Sequence, residues 1–395
     1  MAGGFGTRLR PLTNHIPKPM IPMANKPMME HIIELLKSNG IREMISLLYF
    51  QPEAIEDYFQ GGEEFGVKIS YLSPEEDLGT AGSVKAAEAF LDSTFLIISG
   101  DVLTDFNLQE VVSFHKARKS MATIVLTRVQ DPLRFGVVIA DEEGRIQKFL
   151  EKPNWSEVFS DTINTGLYVL EPEVLGYIPA GREFDFSQDL FPRLLQEGVP
   201  LYGYISSGYW RDIGDLLEYR IAHRDILAGA VKVKLPGKRM EAPGSEIWLD
   251  QDCRVDFTAS LRGSVLVGKN SQVGPGATVQ NSVIGDNCII EGEASISDSI
   301  LWNGVYIGKG ASLRENVVGK GSEIKAYASL FEGALVSDHC KIGEGSILKA
   351  NVKVWPYKVV EDGATLATSL IWGERWSKSV FGAHGVTGLA NIEVT

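Results

Sequence analysis

The sequence predicts two folds in one chain: a doubly wound, mostly parallel α/β domain and, after it, a β-helix. Two observations carry this prediction. Over residues 1–230, short apolar runs alternate with amphipathic helical patterns, as expected of βαβ units. From about Leu249 that alternation stops, and an apolar residue recurs at every sixth position. The two periodicities do not overlap, so we expect them to belong to separate domains.

The α/β prediction rests on four segments. Phe95–Asp101 and Ala122–Val129 are apolar or β-branched runs typical of strands, and Leu108–Lys119 between them has helical spacing. Pro27–Gly40 is a second amphipathic helix, with a proline at its start and a glycine at its end. Ligands of such sheets bind beyond the carboxyl ends of the strands. The Gly100–Asp101 corner is therefore a candidate site.

The β-helix prediction rests on an unusually long repeat. Nine apolar residues follow one another at steps of six from Val318 to Leu366, and glycines come directly after several of them. Each repeated residue is expected to point into a narrow core, with the glycines helping the corners. We predict residues 1–230 as the first domain, 231–246 as a Pro- and Gly-containing linker, 247–370 as the β-helix and 371–395 as a tail.

Composition limits the possible roles of the chain. Its 395 residues include 38 Lys and Arg against 51 Asp and Glu, a formal net charge of −13. This charge argues against nucleic acid or an anionic membrane as a partner. The chain shows neither a signal peptide nor an apolar run of membrane-spanning length. Its three cysteines, Cys253, Cys288 and Cys340, lie too far apart for a zinc-finger pattern. We expect them to be reduced in a cytoplasmic protein.

The most informative motif is the glycine-rich N-terminus. Gly3, Gly4 and Gly6 come shortly before Arg8, and Lys18 follows between two prolines. Glycines allow backbone N–H groups to approach phosphate oxygens closely, and Arg or Lys neutralises the phosphate charge. The segment lacks the Gly-Lys-Ser/Thr ending of a P-loop. It predicts a phosphate-binding loop, and an ordinary solvated turn is the alternative.

These residues resemble the signature of the sugar-phosphate nucleotidyltransferases. Ala2–Met20 carries it, and Pro22–Ile33 is similar to the mannose-1-phosphate guanylyltransferase branch, whose members also end in a left-handed β-helix. Further similar segments follow in the family's order: Leu78–Ser83, Ser99–Val102, Arg134–Val138, Phe149–Pro153, Asn164–Leu170 and Gly208–Gly214. The resemblance implies that a sugar-1-phosphate attacks the α-phosphorus of a nucleoside triphosphate and expels pyrophosphate. GTP and mannose-1-phosphate are the favoured substrates.

The resemblance also implies roles for individual residues. Arg8 and Lys18 would steady the triphosphate, Asp101 and Asp212 would hold Mg²⁺, and Lys152 would clamp the sugar phosphate. The remaining nucleotide-binding candidates are Ala2, Gly3, Gly4, Gly6, Thr7, Gly79, Thr80 and Gly100. Those for the sugar phosphate, besides Lys152, are Gly136, Glu151 and Asn164.

Several of these residues have simpler interpretations. Asp101 could cap the turn after its strand, Asp212 could pair with Arg211, and Lys152 and Glu151 could be solvated neighbours. Arg10 is equally well explained as a surface ion pair and as a second catalytic arginine. Glu75 or Glu76 is a hypothetical reader of guanine, and an exposed acidic loop is the alternative.

Three function classes remain open on sequence alone. The first is nucleotidyl transfer, with ATP, UTP or dTTP and glucose-1-phosphate as the substrates in second place. The second is a non-catalytic regulatory paralogue that binds sugar nucleotides. The third is an acyltransferase that uses His339, although a β-helix corner explains that histidine more simply. We also expect homo-oligomerisation through the β-helix.

The two ends of the chain differ from the family pattern. Members of the family usually carry a short apolar strand directly before the Ala-Gly-Gly motif, and here only Met1 precedes Ala2. We therefore expect the first strand of the sheet to be missing. At the other end, Phe381–Thr395 resembles the opening of the phosphohexomutases, which suggests a fusion to a mutase-like domain.

Overall fold

A computed structural model describes residues 1–151, 154, 160–242 and 244–372, together with the backbone of three short later strands. The chain forms two compact units. The first, called here the α/β unit, contains Met1–Thr7, Ile16–Ile21 and Pro27–Gly214. The second, the β-helix unit, contains Arg8–His15, Pro22–Lys26 and the chain from Asp215 onward. The predicted boundary near residue 230 thus differs from the division into compact units.

Up to residue 214 the chain alternates strands and helices. The strands are β1 Pro22–Met23, β2 Lys26–Pro27, β3 Glu43–Leu47, β4 Lys68–Leu72, β5 Phe95–Ile98, β6 Val102–Thr104, β7 Ala122–Arg128, β8 Gly136–Ala140, β9 Ile146–Glu151, β10 Thr162–Leu170, β11 Leu201–Ile205 and β12 Trp210–Asp212. The α-helices are α1 Met28–Ser38, α2 Pro52–Phe59, α3 Gly79–Ala86, α4 Leu108–Arg118 and α5 Phe191–Gln196. Short 3₁₀ helices occupy Thr7–Leu9, Lys18–Met20, Glu63–Phe65, Glu88–Phe90, Pro132–Arg134 and Pro172–Tyr177, and a π-helix occupies Phe186–Leu190. The four segments predicted from periodicity contain β5, β7, α4 and α1.

The central sheet combines parallel and antiparallel pairs. Its order is β11-β7-β10-β8-β9, with β5 also pairing with β10. Strand β11 runs parallel to β7, and β3 runs parallel to β4 in a separate pair. Strand β10 runs antiparallel to β5, β7 and β8. Strands β8 and β9 also run antiparallel to each other. The α/β class is confirmed, and the pairs of β10 and of β9 are the antiparallel component of a sheet that the alternation alone predicts to be mostly parallel.

The first two residues lie between β3 and β5. The Met1 amine donates to the Ile98 carbonyl at 2.9 Å, and the Met1 carbonyl accepts from Gly100 N at 2.7 Å. The Ala2 amide donates to the Leu47 carbonyl at 2.8 Å. These bonds place the start of the glycine motif at the carboxyl ends of both strands. No strand is assigned to these first residues.

In the β-helix unit, the chain from Asp215 onward starts with helix α6, Leu216–Leu227. Coils whose strands lie on three faces follow it. The first face contains Lys238–Ala242, Ser245–Leu249, Ser264–Val267, Val283–Ile284, Ile300–Leu301, Val317–Val318, Leu335–Val336 and Lys353–Val354. The second contains Arg254–Val255, Gln272–Val273, Ile289–Ile290, Tyr306–Ile307, Glu323–Ile324, Lys341–Ile342, Val359–Val360 and Arg375–Trp376. The third contains Ser260–Arg262, Thr278–Gln280, Ser295–Ser297, Ser312–Arg314, Ser329–Leu330, Ile347–Leu348 and Thr365–Leu366. Two short strands, Phe381–Gly382 and Gly385–Val386, pair antiparallel in the tail.

The hexapeptide repeat fills the core of this unit. All nine residues from Val318 to Leu366 are at most 1% exposed. Successive coils pair in parallel, so each repeated residue stacks on the one a full coil earlier. The predicted β-helix is therefore confirmed. The predicted linker, 231–246, contains the strand Lys238–Ala242 and the first two residues of Ser245–Leu249. These two strands pair antiparallel and open the first face. Hydrogen bonding to the first coil gives this proline-containing segment a regular structure.

Two adjacent isoleucines test the role of the inward positions. Ile290 is 1% exposed in the core, whereas Ile289 is 41% exposed on the outer surface. We expect Ile290→Ala to lower the free energy of unfolding by about 2–5 kcal/mol, because it removes buried methylenes and leaves a cavity. The matched Ile289→Ala change is expected to cost less than about 1 kcal/mol. Denaturant unfolding measures both, and equal losses would contradict the assigned core.

Candidate active site

A cleft of about 470 Å³ opens in the α/β unit at the carboxyl ends of β3 and β5. Residues of the glycine motif, of the β5–β6 corner and of the start of α3 line it. The predicted nucleotide-site residues along it are Ala2, Gly3, Gly4, Lys18, Gly79, Thr80, Gly100 and Asp101. Segments that are far apart in sequence therefore meet in one cleft, as expected at this edge of an α/β sheet.

A lysine and two aspartates form the charged centre of the site. Lys18 Nζ lies 2.6 Å from Asp101 Oδ2 and 3.6 Å from Asp212 Oδ1. The aspartates are close because β12 pairs antiparallel with β6, which sets Asp212 opposite Val102. The Ile213 amide also donates to the Asp101 carbonyl at 2.9 Å. Asp101 therefore does more than cap its turn, and Asp212 faces Lys18 although Arg211 is its neighbour in sequence.

The charges at this centre depend on one another. Burial by itself would raise the pKa of Asp101, but the Lys18 charge and its hydrogen bond, with help from Ser99, outweigh burial and lower it. Lys18 is only 7% exposed, so its ammonium is largely removed from water. Asp101 consequently carries its negative charge at neutral pH. The lysine balances carboxylates that would otherwise repel an anionic ligand.

The glycines of the motif are used in different ways. A Cβ at Gly3 would lie 3.0 Å from Tyr49 Cβ, and one at Gly100 would lie 2.7 Å from the Met1 carbonyl oxygen. Gly6 has a φ of 60°, which favours glycine. A Cβ at Gly4 would meet no atom within 4 Å, and Gly4 lines the cleft. Packing of the fold therefore does not explain a glycine at position 4, and its nucleotide-binding role stays a prediction.

This difference gives a testable prediction at Gly4. We expect Gly4→Ala to leave thermal stability unchanged and to weaken nucleotide binding by at least about tenfold, because the methyl group stands where phosphate would approach. Gly176→Ala is the matched control, since a Cβ there also meets no atom within 4 Å. Calorimetric titration with GTP measures binding. Equal affinities in the two variants would contradict a phosphate site at Gly4.

The start of α3 packs against a segment that sequence reasoning missed. Ala81 N and Gly82 N donate to the Phe184 carbonyl at 2.9 and 3.0 Å, and Thr80 Oγ1 donates to Asp185 Oδ2 at 2.7 Å. A Cβ at Gly82 would lie 2.6 Å from the Arg182 carbonyl oxygen. At least part of the glycine requirement in this loop thus comes from backbone packing.

Two of the predicted sugar-site residues, Asn164 and Glu151, act on the Tyr168 hydroxyl. Asn164 Nδ2 donates to that hydroxyl at 3.0 Å, and Gly136 pairs with Glu151 across β8 and β9. A Cβ at Gly136 would lie 2.8 Å from Glu151 Oε2. Burial, together with the negative charges of Asp185 and Glu151, raises the pKa of Tyr168. The hydroxyl therefore stays protonated and can donate a hydrogen bond.

The remaining candidates lie elsewhere or outside the described residues. Thr7 and Arg8 begin the 3₁₀ helix after the glycines, and Arg8 is exposed. Glu75 and Glu76 are exposed and do not belong to the described lining of the cleft. Lys152 lies outside the described residues, as does most of the tail predicted to resemble a mutase.

Several residues lining the cleft were not foreseen: Phe5, Tyr49, Asp77, Ser83, Glu183, Asp185, Gln188 and Asp189. Asp185 accepts from Ser187 N and Gln188 N, which makes it the N-cap of the π-helix. The capping pattern was visible in the sequence as Asp185 before an apolar run. Nothing local indicated that the helix start would face the cleft.

The residues present fit a divalent cation that is shared with the ligand. In the described part of the chain, no group of three or more His, Cys, Asp or Glu side chains could hold a metal. Asp101 and Asp212 nevertheless converge on one cation, the Lys18 ammonium. Mg²⁺ is commonly bound by one or two carboxylates, with water and phosphate oxygens completing its shell. Two aspartates are a suitable donor set for that arrangement.

Two family models match separate parts of the chain, and the gap between the two matches lies where the six-residue repeat replaces the strand–helix alternation. Residues 1–229 match the family model described as "Nucleotidyl transferase", and residues 245–348 match the left-handed β-helix (LbH) domain of EIF2B subunit epsilon. Among the described helices, none is long and apolar enough to cross a membrane.

Individual relatives agree on the reaction class and differ in substrate. The UTP–glucose-1-phosphate uridylyltransferase of Synechocystis is 36% identical over 76% of this chain and 81% of its own length. The mannose-1-phosphate guanylyltransferase of Mycobacterium tuberculosis is 35% identical over 74% of this chain and 80% of its own. A solved structure from Bacillus anthracis, assigned as a glucose-1-phosphate thymidylyltransferase in complex with sucrose, is 28% identical with a TM-score of 0.53. It covers 60% of this chain and 95% of its own.

Proposed function

This chain belongs to the nucleotidyl transferase family, and from that premise we propose that it transfers a guanylyl group from GTP to mannose-1-phosphate. The products are GDP-mannose and pyrophosphate. The observation that carries the proposal is the Lys18–Asp101–Asp212 cluster beside the glycine-lined cleft. Phosphoryl and nucleotidyl transfer demand mainly positioning and charge neutralisation from a protein, and this cluster supplies fixed charge.

The N-terminal motif would hold the triphosphate. Backbone N–H groups around Gly3 and Gly4 have open access to the cleft, and Lys18, which also lines it, would supply cationic charge for the phosphates. The resemblance implies the same role for Arg8, which is not part of the described lining of the cleft. Lys18 would exchange part of its interaction with Asp101 for the departing pyrophosphate. Mg²⁺, when bound at Asp101 and Asp212, supplies further neutralisation of the phosphate oxygens.

The other reactant would lie near Tyr168. Glu151 would accept hydrogen bonds from sugar hydroxyls, Asn164 would orient the sugar, and Lys152 would clamp its phosphate. An oxygen of the sugar phosphate forms the new bond to the α-phosphorus of the nucleotide. At the same time the bond between the α-phosphorus and the bridging oxygen of the departing pyrophosphate breaks. A phosphate monoester is already an anionic nucleophile at neutral pH, so the reaction needs no general base.

UTP with glucose-1-phosphate is the second candidate pair. The uridylyltransferase relative matches this chain as well as the guanylyltransferase relative does, at 36% against 35% identity. Mannose-1-phosphate guanylyltransferases from Mycobacterium tuberculosis, Arabidopsis thaliana and Candida albicans are each 34–35% identical to this chain. We therefore favour GTP and mannose-1-phosphate.

Pyrophosphate release tests the proposed substrates. Each of GTP, ATP, UTP and dTTP is to be combined with mannose-1-phosphate and with glucose-1-phosphate, in the presence of Mg²⁺. We expect the highest kcat/KM for GTP with mannose-1-phosphate. A higher kcat/KM for UTP with glucose-1-phosphate would contradict the proposed substrates, and the proposed reaction class would stand. If no substrate pair releases pyrophosphate while nucleotide sugars still bind, the result would favour the non-catalytic regulatory paralogue.

We also propose that the β-helix mediates homo-oligomerisation, since stacked coils present flat faces suited to association. Sedimentation velocity of the full chain tests this. A monomer at micromolar concentration would contradict it.

A further inference from the structure

A hydrogen-bonded segment inside the α/β unit lies between the nucleotide cleft and the predicted sugar-site residue Asn164. It is Asp185–Ser187, at the start of the π-helix Phe186–Leu190. On one side Asp185 bonds the start of α3, and on the other side Ser187 bonds Asn164. All of these residues belong to one compact unit. Since π-helices are rare and frequently lie at functional sites, this segment is a candidate for a functional role.

The segment is attached to α3 by two hydrogen bonds of one hydroxyl. Thr80 Oγ1 donates to Asp185 Oδ2 at 2.7 Å and accepts from the Phe186 amide at 3.0 Å. A hydroxyl has a single hydrogen, so the bond to Asp185 uses the donor capacity of Thr80. The Thr80 side chain thus holds the start of the π-helix against the side of the cleft that α3 forms.

Backbone bonds and core packing fix the π-helix itself. Asp185 Oδ1 accepts from the Ser187 amide at 2.7 Å, and the Leu190 amide donates to the Asp185 carbonyl at 3.0 Å. Phe186 is 1% exposed, and the centroid of its ring lies 4.9 Å from that of Tyr168. Ser187 therefore has a fixed position, and its hydroxyl also bonds the Tyr168 hydroxyl.

The hydrogen bonds of the Asn164 amide limit how it can meet a ligand. Its Nδ2 donates to the Tyr168 hydroxyl at 3.0 Å and to Ser187 Oγ at 3.2 Å. Its Oδ1 accepts from the Gly166 amide at 3.0 Å. An amide side chain has two N–H donors and two acceptor positions on its oxygen. Within the described part of the chain, both donors are used and one acceptor position on Oδ1 remains open.

We propose that Ser187 and Tyr168 are positioning residues for Asn164, which they hold as an acceptor for one hydroxyl of the sugar phosphate. The proposal rests on the proposed function, in which Asn164 orients the sugar. The Gly166 N–H sets the sense of the amide, because turning the amide over would place Nδ2 against it, donor against donor. The two hydroxyls then take both amide hydrogens, so Asn164 selects a ligand group that donates.

Two conservative variants with matched controls test this proposal. Ser187→Ala and Tyr168→Phe each remove one hydroxyl that accepts from Asn164. We expect each to raise the KM for mannose-1-phosphate about fivefold, the scale of one neutral hydrogen bond, and to leave the KM for GTP within about twofold. The controls are Ser113→Ala and Tyr204→Phe, which lose hydroxyls bonded to α4, and we expect wild-type KM values from both.

A double-mutant cycle decides whether the two hydroxyls act through Asn164. In an Asn164→Ala background, we expect Ser187→Ala and Tyr168→Phe to change the KM for mannose-1-phosphate by less than about twofold. Fivefold increases with and without Asn164 would overturn the proposal, because the hydroxyls would then act on the sugar directly or on the fold. A wild-type KM in both single variants would overturn it as well.

Sugar analogues test the acceptor role of Asn164. Fluorine in place of a hydroxyl of mannose-1-phosphate removes the donated hydrogen and changes the size of the group little. With fluorine placed at each hydroxyl in turn, we expect one analogue whose KM is raised about fivefold in the wild type and is not raised in Asn164→Ala. If Asn164→Ala changed the KM of every analogue by the same factor, Asn164 would not accept from a sugar hydroxyl.

A further readout, amide hydrogen exchange followed by NMR, needs no activity. The Gly166 amide donates to Asn164 Oδ1, so its exchange rate reports whether Asn164 keeps its position. We expect Ser187→Ala and Tyr168→Phe to raise this rate about tenfold, and both controls to leave it unchanged. Unchanged rates in the two variants would overturn the proposal. If the wild type releases no pyrophosphate with any substrate pair, the proposed function fails, and exchange at Gly166 still decides whether the hydroxyls hold Asn164.

Discussion

Asp101→Asn is expected to lower kcat for nucleotidyl transfer by about 10²- to 10³-fold, the scale seen when one preorganised electrostatic group is removed from a transition state. The change keeps the size of the side chain and removes its charge. Asp101 Oδ2 would then no longer balance Lys18, and one of the two proposed Mg²⁺ ligands would be weakened. Initial rates of pyrophosphate release measure the loss.

The control for this variant is Asp57→Asn, at an exposed position on α2. It removes the same charge from the chain at a site away from the cleft, and we expect wild-type rates from it. If Asp101→Asn kept more than about a tenth of the wild-type kcat, Asp101 would not have the electrostatic role assigned to it.

Lys18→Met is expected to have a comparable effect, with kcat/KM lower by at least about 10²-fold. Methionine keeps much of the apolar stem of the buried side chain and removes the ammonium. The Asp101 and Asp212 carboxylates would then face the incoming triphosphate without this cation. Rates that changed less than about tenfold would contradict the role of Lys18.

Lys18→Met is also expected to reverse the pH dependence of the stability that Asp101 contributes to the fold. In the wild type the pKa of Asp101 in the folded state lies below its ordinary value of 3.8. The Asp101 carboxylate therefore stabilises the fold above pH 3.8, and this stabilisation is lost as the pH falls through the pKa of the folded state. Without Lys18, burial is expected to raise the pKa of Asp101 above 3.8. The folded protein would then lose stability as the pH rises from 3.8 through that raised pKa, because the buried carboxyl has to ionise. Thermal melts in metal-free buffer, from acidic to neutral pH, would show opposite slopes for this contribution. Parallel curves would contradict the coupling.

The β-helix could be predicted in detail because its signal is local. Each coil needs one inward apolar residue per face, and the spacing from Val318 to Leu366 shows this directly. In the α/β unit, β5, β7, α1 and α4 were visible for the same reason. The antiparallel direction of β10 was not, since its pairs with β5 and β7 join residues 34 to 75 positions apart in the sequence. No local pattern encodes such pairing.

The candidate site shows a similar division. Glycines and cations in one motif predicted phosphate binding, and resemblance added Asp101 and Asp212. What brings Asp212 to Lys18 is the register of β12 on β6, a contact across more than a hundred residues. Neither the capping role of Asp185 nor its place at the cleft was predicted from the sequence.

The central claim is that this chain joins the α-phosphorus of a nucleotide to a sugar phosphate. The most direct test supplies GTP labelled either at the α- or at the γ-phosphorus, together with mannose-1-phosphate and Mg²⁺, and follows each label into the products. We predict that the α label enters the nucleotide sugar and that the γ label leaves in pyrophosphate. Label from the γ position in a sugar product, or in free phosphate with the α label left in GDP, would contradict the proposed reaction.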